Sequence, residues 1–96
     1  MVLVDGELLY LYLGGDTVVR TRDIIGVFDL DNTSTSHLTR KYLASAQKAG
    51  RIVEVTGELP KSFVVCAGDL NEYSVYLSQM SPATLRGRYE ANDLGK

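Results

Sequence analysis

An α+β domain built on a mostly antiparallel sheet, with one central helix and a short C-terminal helix, is the fold class this 96-residue sequence predicts. Three observations carry the prediction: apolar runs with strand periodicity fill both halves of the chain, a single helical pattern separates them, and the links between runs are short. At 45% hydrophobic and 23% charged, the chain suits one domain and leaves no room for a second. A chain of this size buries roughly 60 to 65% of its unfolded surface, so self-association is a natural way to cover more apolar area.

In chain order, Leu9, Leu11 and Leu13 alternate with Tyr10 and Tyr12, a period-2 strand whose two faces are both largely apolar, stopped by Gly14-Gly15-Asp16. Thr17-Val18-Val19-Arg20-Thr21 is the next strand. Through Arg22-Asp23 it leads to Ile24-Ile25-Gly26-Val27-Phe28, the third strand of an expected meander. The polar run Asp31 to Ser36 carries side chains that cap a helix, predicted from Ser36 to Ala49. Leu38, Tyr42, Leu43, Ala46 and Ala49 form its apolar face, and Gly50 supplies a left-handed stop. Ile52 to Thr56 and Lys61 to Cys66 are β-rich runs, and the link Gly57-Glu58-Leu59-Pro60 has the length of a hairpin connection. A last strand at Tyr73 to Met80 precedes Ser81-Pro82, an N-cap with proline at the first helical position, which opens a short helix to Glu90. The domain is expected over residues 11–90, with an N-terminal extension at 1–10 and a flexible tail at 91–96.

Several function classes are excluded on this reading. The N-terminus is interrupted by Asp5 and Glu7 and lacks the basic start and unbroken apolar core of an export signal. The longest uncharged run, Tyr73 to Leu85, contains Pro82 and falls short of the roughly 18 residues that span a bilayer. Cys66, the single cysteine, lies in the apolar run Phe63-Val64-Val65-Cys66-Ala67 and reads as a small buried hydrophobe. A cytoplasmic protein without a membrane partner is expected.

Val27-Phe28-Asp29-Leu30-Asp31-Asn32-Thr33 has the form in which haloacid-dehalogenase-like phosphotransferases present an aspartyl nucleophile and general acid above a metal. Thr56, Lys61, Gly68-Asp69 and Glu72 could supply the remaining groups. Those enzymes, however, end each motif on a separate strand of a doubly wound parallel sheet, and the stretch from Thr56 to Gly68 is too short for a crossover of roughly 30 residues. His37 is the only histidine, no Cys-x-x-Cys occurs, and Gly14-Gly15-Asp16 lacks the phosphate-loop pattern. The expectation is no catalysis, no metal, no cofactor and no small-molecule substrate.

The net charge of -2 hides an uneven distribution. No Asp or Glu occurs from Asn32 to Val53, while Arg40, Lys41, Lys48 and Arg51 all fall there. On a helix Lys41 and Lys48 share a stripe with Arg40 beside it. Lys48 and Arg51 gain from the helix dipole; Arg40 and Lys41 lie too early for that and suit contact with phosphate. Arg20 and Arg22 would point to one side if their strand continued through Thr21. In a closed oligomer such a patch becomes a continuous positive track able to release counterions from DNA.

Four blocks in order, Tyr12 to Val19 (YLGGDTVV), Thr21 to Asp29 (TRDIIGVFD), Glu58 to Val65 (ELPKSFVV) and Leu77 to Leu85 (LSQMSPATL), resemble the RemA/RemB-like family of small bacterial extracellular-matrix regulators. The resemblance covers Leu11 to Arg88. It implies a non-enzymatic, DNA-binding transcriptional regulator of biofilm-matrix genes that assembles into a ring-like homo-oligomer with DNA along a basic rim. By position, the arginine that opens the family's third β-run falls on Arg22 and a basic residue of the family helix on Lys41. Where the family has Gly-Arg-Arg in the hairpin after the helix, this chain has Gly57-Glu58-Leu59, with Lys61 the nearest basic match to another family arginine. The expected DNA-contacting set is Arg22, Lys41, Arg20, Arg40, Lys48, Arg51 and Lys61. Glu58 and Leu59 motivate the alternative, an oligomeric protein-interaction module with little or no DNA binding.

Overall fold

The computed structural model describes residues 10–30, 36–68 and 72–94. In chain order these form β1 (Tyr10–Gly14), β2 (Thr17–Arg20), a 3-10 turn (Thr21–Asp23), β3 (Ile24–Asp29), α1 (His37–Lys48), β4 (Ile52–Glu54), β5 (Ser62–Ala67), β6 (Tyr73–Ser78) and α2 (Pro82–Leu94). The α+β class is as expected: three of the four strand pairings are antiparallel, and β4 with β6 is the parallel one.

The meander, however, is broken after β2. Thr21–Asp23 winds into the 3-10 turn, so β1 and β2 close a hairpin of their own while β3 leaves for a second sheet ordered β3-β5-β6-β4. The hairpin suggested for Ile52–Thr56 and Lys61–Cys66 does not form either. Every residue of β5 from Ser62 to Cys66 is buried, so that strand needs a neighbour on each side and takes β3 and β6. β4, with Val53 and Glu54 exposed, sits at the edge beyond β6. The pairings make β3 and β4 run the same way, with α1 carrying the chain back between them, a split β-α-β unit whose gap β5 and β6 fill.

Alternation along β5 sends its side chains into two layers. In front, Phe63 and Val65 pack with Val75 against Ala46 of α1, and Leu43, Ile52 and Leu77 close the cluster. Behind, Val64 and Cys66 meet Leu11, Leu13 and Val19 of the hairpin and Leu85 of α2. Two buried serines tie neighbouring segments to the sheet, Ser78 the hairpin and Ser62 the chain after β6. The Ser78 hydroxyl donates to the Leu13 carbonyl at 2.7 Å and accepts from the Met80 N–H at 3.0 Å. Its cross-strand partner Ser62 donates to the Met80 carbonyl at 2.8 Å. The hairpin turn also requires glycine: at Gly15, with φ +52°, a Cβ would lie 2.7 Å from the Val55 carbonyl oxygen.

Both helices start where their caps predict. Ser36 accepts from the Thr39 N–H at 3.1 Å, and Ser81 from the Thr84 N–H at 3.1 Å. Gly50 follows α1 at φ +72°. α2 runs past its predicted end at Glu90 to Leu94. Three members of the expected buried face of α1 are exposed, Leu38 (75%), Tyr42 and Ala49, because Ala46 and Leu43 set the rotation of the helix and leave the others to one side. The capping role of Asp31 to Thr35, the turn at Asp69 to Asn71 and the extension at 1–9 lie outside the described residues.

Ser78→Ala removes a fully buried hydroxyl and strands the Leu13 carbonyl, so it should cost about 1–3 kcal/mol. Urea unfolding should show a lower midpoint at unchanged m.

Burial first, and then the Asp23 carboxylate, push the Cys66 thiol from 9.0 up to about 11. The folded chain therefore holds this proton above the pH at which the unfolded chain releases it. The contribution is intact below about pH 9 and is lost as pH rises through about 11. Stability should fall by about 2–3 kcal/mol across that window. In unfolding curves recorded every half pH unit, Cys66→Val should flatten the part of the decline that starts near pH 9, ahead of the fall due to Tyr76, whose pKa burial also raises.

Candidate nucleic-acid interface

Strand direction sorts the basic residues into groups. At one end of the four-stranded sheet, here the upper end, β3, β6 and β4 begin and β5 finishes. Arg20 and Arg22 lie at this end, on the junction between β2 and β3. Arg51 precedes β4 on the far edge, its Nη1 donating to the Tyr73 carbonyl at 3.4 Å and its own carbonyl accepting from the Val75 N–H at 2.9 Å. Lys48 occupies the last turn of α1, which delivers the chain to the same end. Three strand spacings, about 14 Å, separate the two edges.

The strand alternation expected for Arg20 and Arg22 is absent, because the 3-10 turn intervenes. Arg20 Nε donates to Asp23 Oδ2 at 2.8 Å, whereas Arg22 is exposed and makes no hydrogen bond or ion pair among the described residues. Lys41 and Lys48 are exposed on the outer stripe of α1, opposite Ala46 and about 10 Å apart along the axis. Arg40 is exposed beside them, at a hollow it shares with Leu43, Gln47 and Ile52.

Lys61 lies elsewhere. It precedes β5 at the lower end of the sheet, where its N–H donates to the Ser78 carbonyl and its carbonyl accepts from the Leu30 N–H, both at 2.8 Å. Asp29 ends β3 there, Glu54 ends β4, Glu58 follows, and Asp16 caps the hairpin, whose turn touches Val55 and Gln79. The upper end thus gathers Arg20, Arg22, Lys48 and Arg51 with Asp23 and Glu72, and the lower end gathers Asp16, Asp29, Glu54 and Glu58 with Lys61, so the balance of charge shifts from basic to acidic along the strands. Asp29, Thr56 and Lys61 do share the lower end, but β5 enters it antiparallel to β3, and Thr56 Oγ1 is engaged with Gln79 Oε1 at 3.4 Å. That is not the doubly wound parallel arrangement the phosphotransfer motifs require.

Sequence reasoning passed over Arg86 and Arg88, both exposed on α2. Arg86 Nε donates to Glu90 Oε2 at 3.1 Å, and the Arg88 guanidinium sits 5.6 Å from the centre of the Tyr12 ring. Arg86 and Thr21 line one apolar hollow with Leu11, Ile24 and Val27, which brings α2 close to the turn that carries Arg22. The signal was in the sequence, two arginines in a predicted helix, but nothing local tied that helix to the β2–β3 junction.

A protein family described as RemA-like, extracellular matrix regulatory protein A-like, matches residues 10–89. The chain belongs to the RemA-like family. The curated extracellular matrix regulatory protein B of Bacillus subtilis (strain 168) is 38% identical over 80 residues, which make up 83% of this chain and 89% of that relative. The RemA-like match begins on the first residue of β1 and takes in both layers of the fold, the upper basic end and the Gly57-Glu58-Leu59 link. Among the described residues of this RemA-like chain no helix is long and apolar enough to cross a membrane, and no group of three or more His, Cys, Asp or Glu could hold a metal ion.

Proposed function

We propose that this RemA-like chain is a cytoplasmic, non-catalytic regulator of extracellular-matrix genes. It acts as a homo-oligomer that holds the DNA backbone against the upper end of its sheet. The names of the family and of its Bacillus subtilis relative support the regulatory role. The observation that carries the DNA reading is the convergence of Arg22, Lys48 and Arg51 on one end of the strands, with Arg20 beside them and Arg40 and Lys41 continuing down the outer side of α1. Side chains of this kind contact phosphates and position a duplex without reading its bases. One subunit of net charge -2 attracts DNA weakly; copies with their basic ends aligned give a continuous cationic track. Lys61, at the acidic end, falls outside this track.

Titration of a labelled duplex at several salt concentrations tests the reading. Wild-type affinity should fall steeply with salt. Arg22→Ala should weaken binding about tenfold or more and flatten the salt slope, as several copies lose a contact together, while Lys61→Ala should leave both nearly unchanged. Undetectable wild-type binding at low salt would sink the DNA reading.

A second reading, an oligomeric module that engages a protein partner, is favoured by one feature. The lower-end link carries Glu58 and a widely exposed Leu59 in place of basic residues. It expects Arg22→Ala to leave regulation intact and Leu59→Ala to impair it.

A further inference from the structure

Arg22 is the middle residue of a turn that joins two sheets. Arg20 before it still pairs with Tyr10 in the hairpin, and Ile24 after it already pairs with Cys66 in the four-stranded sheet. Three residues therefore carry the whole change of direction. A 3-10 turn this short has little to hold it from within; here the Ile24 N–H donates back to the Thr21 carbonyl. A side-chain contact spans the same residues. Arg20 Nε donates to Asp23 Oδ2 at 2.8 Å and closes a loop around Thr21 and Arg22.

The two ends of that contact are unlike. The Asp23 side chain is 25% exposed and lines a hollow with Cys66, Ser74 and Tyr76, whereas that of Arg20 is 46% exposed. The carboxylate rests on the sheet, and the guanidinium reaches it from outside. Nε is one of five N–H donors on the guanidinium, so the contact holds Arg20 without exhausting it. Arg22 differs: exposed, and with no hydrogen bond or ion pair among the described residues, its side chain is placed by the turn beneath it.

If charge alone mattered, Asp23 would be a defect of the upper end, since a carboxylate repels the phosphates that Arg20 and Arg22 attract. Geometry works the other way. A cation on an unfastened turn loses conformational freedom when it meets a phosphate, and fastening the turn beforehand removes part of that loss.

We infer that Asp23 is a positioning residue: by holding Arg20 across the β2–β3 turn it fixes the backbone that presents Arg22, and it strengthens DNA binding although it adds a negative charge. This rests on the DNA reading proposed above and names the residue that organises one of its cations.

Duplex titrations at several salt concentrations test it, with wild type, Asp23→Ala, Asp23→Asn, Arg22→Ala and the double variant of Arg22→Ala with Asp23→Ala. Circular dichroism and light-scattering mass should match wild type throughout; where Asp23→Ala does not fold, Asp23→Ser, too short to reach Arg20, replaces it. Asp23→Ala should weaken binding about threefold to tenfold, the scale of ordering one long side chain. Asp23→Asn keeps an oxygen able to accept from Arg20 and should bind more tightly than Asp23→Ala. With Arg22 already replaced, Asp23→Ala should weaken binding no further, because the turn has lost the cation it places. Binding by Asp23→Ala as tight as wild type or tighter, an Asp23→Asn no better than Asp23→Ala, the same fold-loss with and without Arg22, or a changed mass would each overturn the inference. Undetectable wild-type binding at low salt would instead sink the DNA reading and the inference with it, whereas a wild type that binds while Asp23→Ala changes nothing removes the inference alone.

Discussion

Much of this fold follows from burying β5 on both faces. Phe63 and Val65 demand a layer in front, and Val64 and Cys66 demand one behind. Backbone groups on both edges need partners too, so β3 and β6 flank the strand and β4 is pushed outward. Two different solutions meet the two faces. Behind, a hairpin and a helix share the work, pinned by the Ser78 hydroxyl on the Leu13 carbonyl. In front, one helix lies over four strands, and the cover is incomplete.

The same topology separates charge. α1 climbs from the lower end of β3 to the upper end of β4, so a segment without a single carboxylate from Asn32 to Val53 deposits Lys48 and Arg51 level with Arg22. The link from β4 to β5 must pass the lower end of β6, taking Glu58 to Asp29 and Asp16. A net charge near zero thus conceals a subunit with unlike ends. The separation follows from strand direction rather than composition.

What was legible in the sequence was local. Ser36 with Gly50, Ser81 with Pro82, and Gly14-Gly15 mark their own helix and turn boundaries within a few residues, and the structure keeps each. The pairing of β4 was not legible. Gly57 to Pro60 has the length of a hairpin link, and only the need of β5 for two neighbours, a requirement spread over distant residues, takes β4 away to β6. Arg20 and Arg22 share one face only if their strand continues through Thr21, where three residues instead wind into a turn. Leu38 matched the helical stripe, but rotation was set by Ala46 and Leu43. Lys61 joins Arg22 only as the nearest basic match to a family arginine, and the antiparallel course of β5 puts the two at opposite ends.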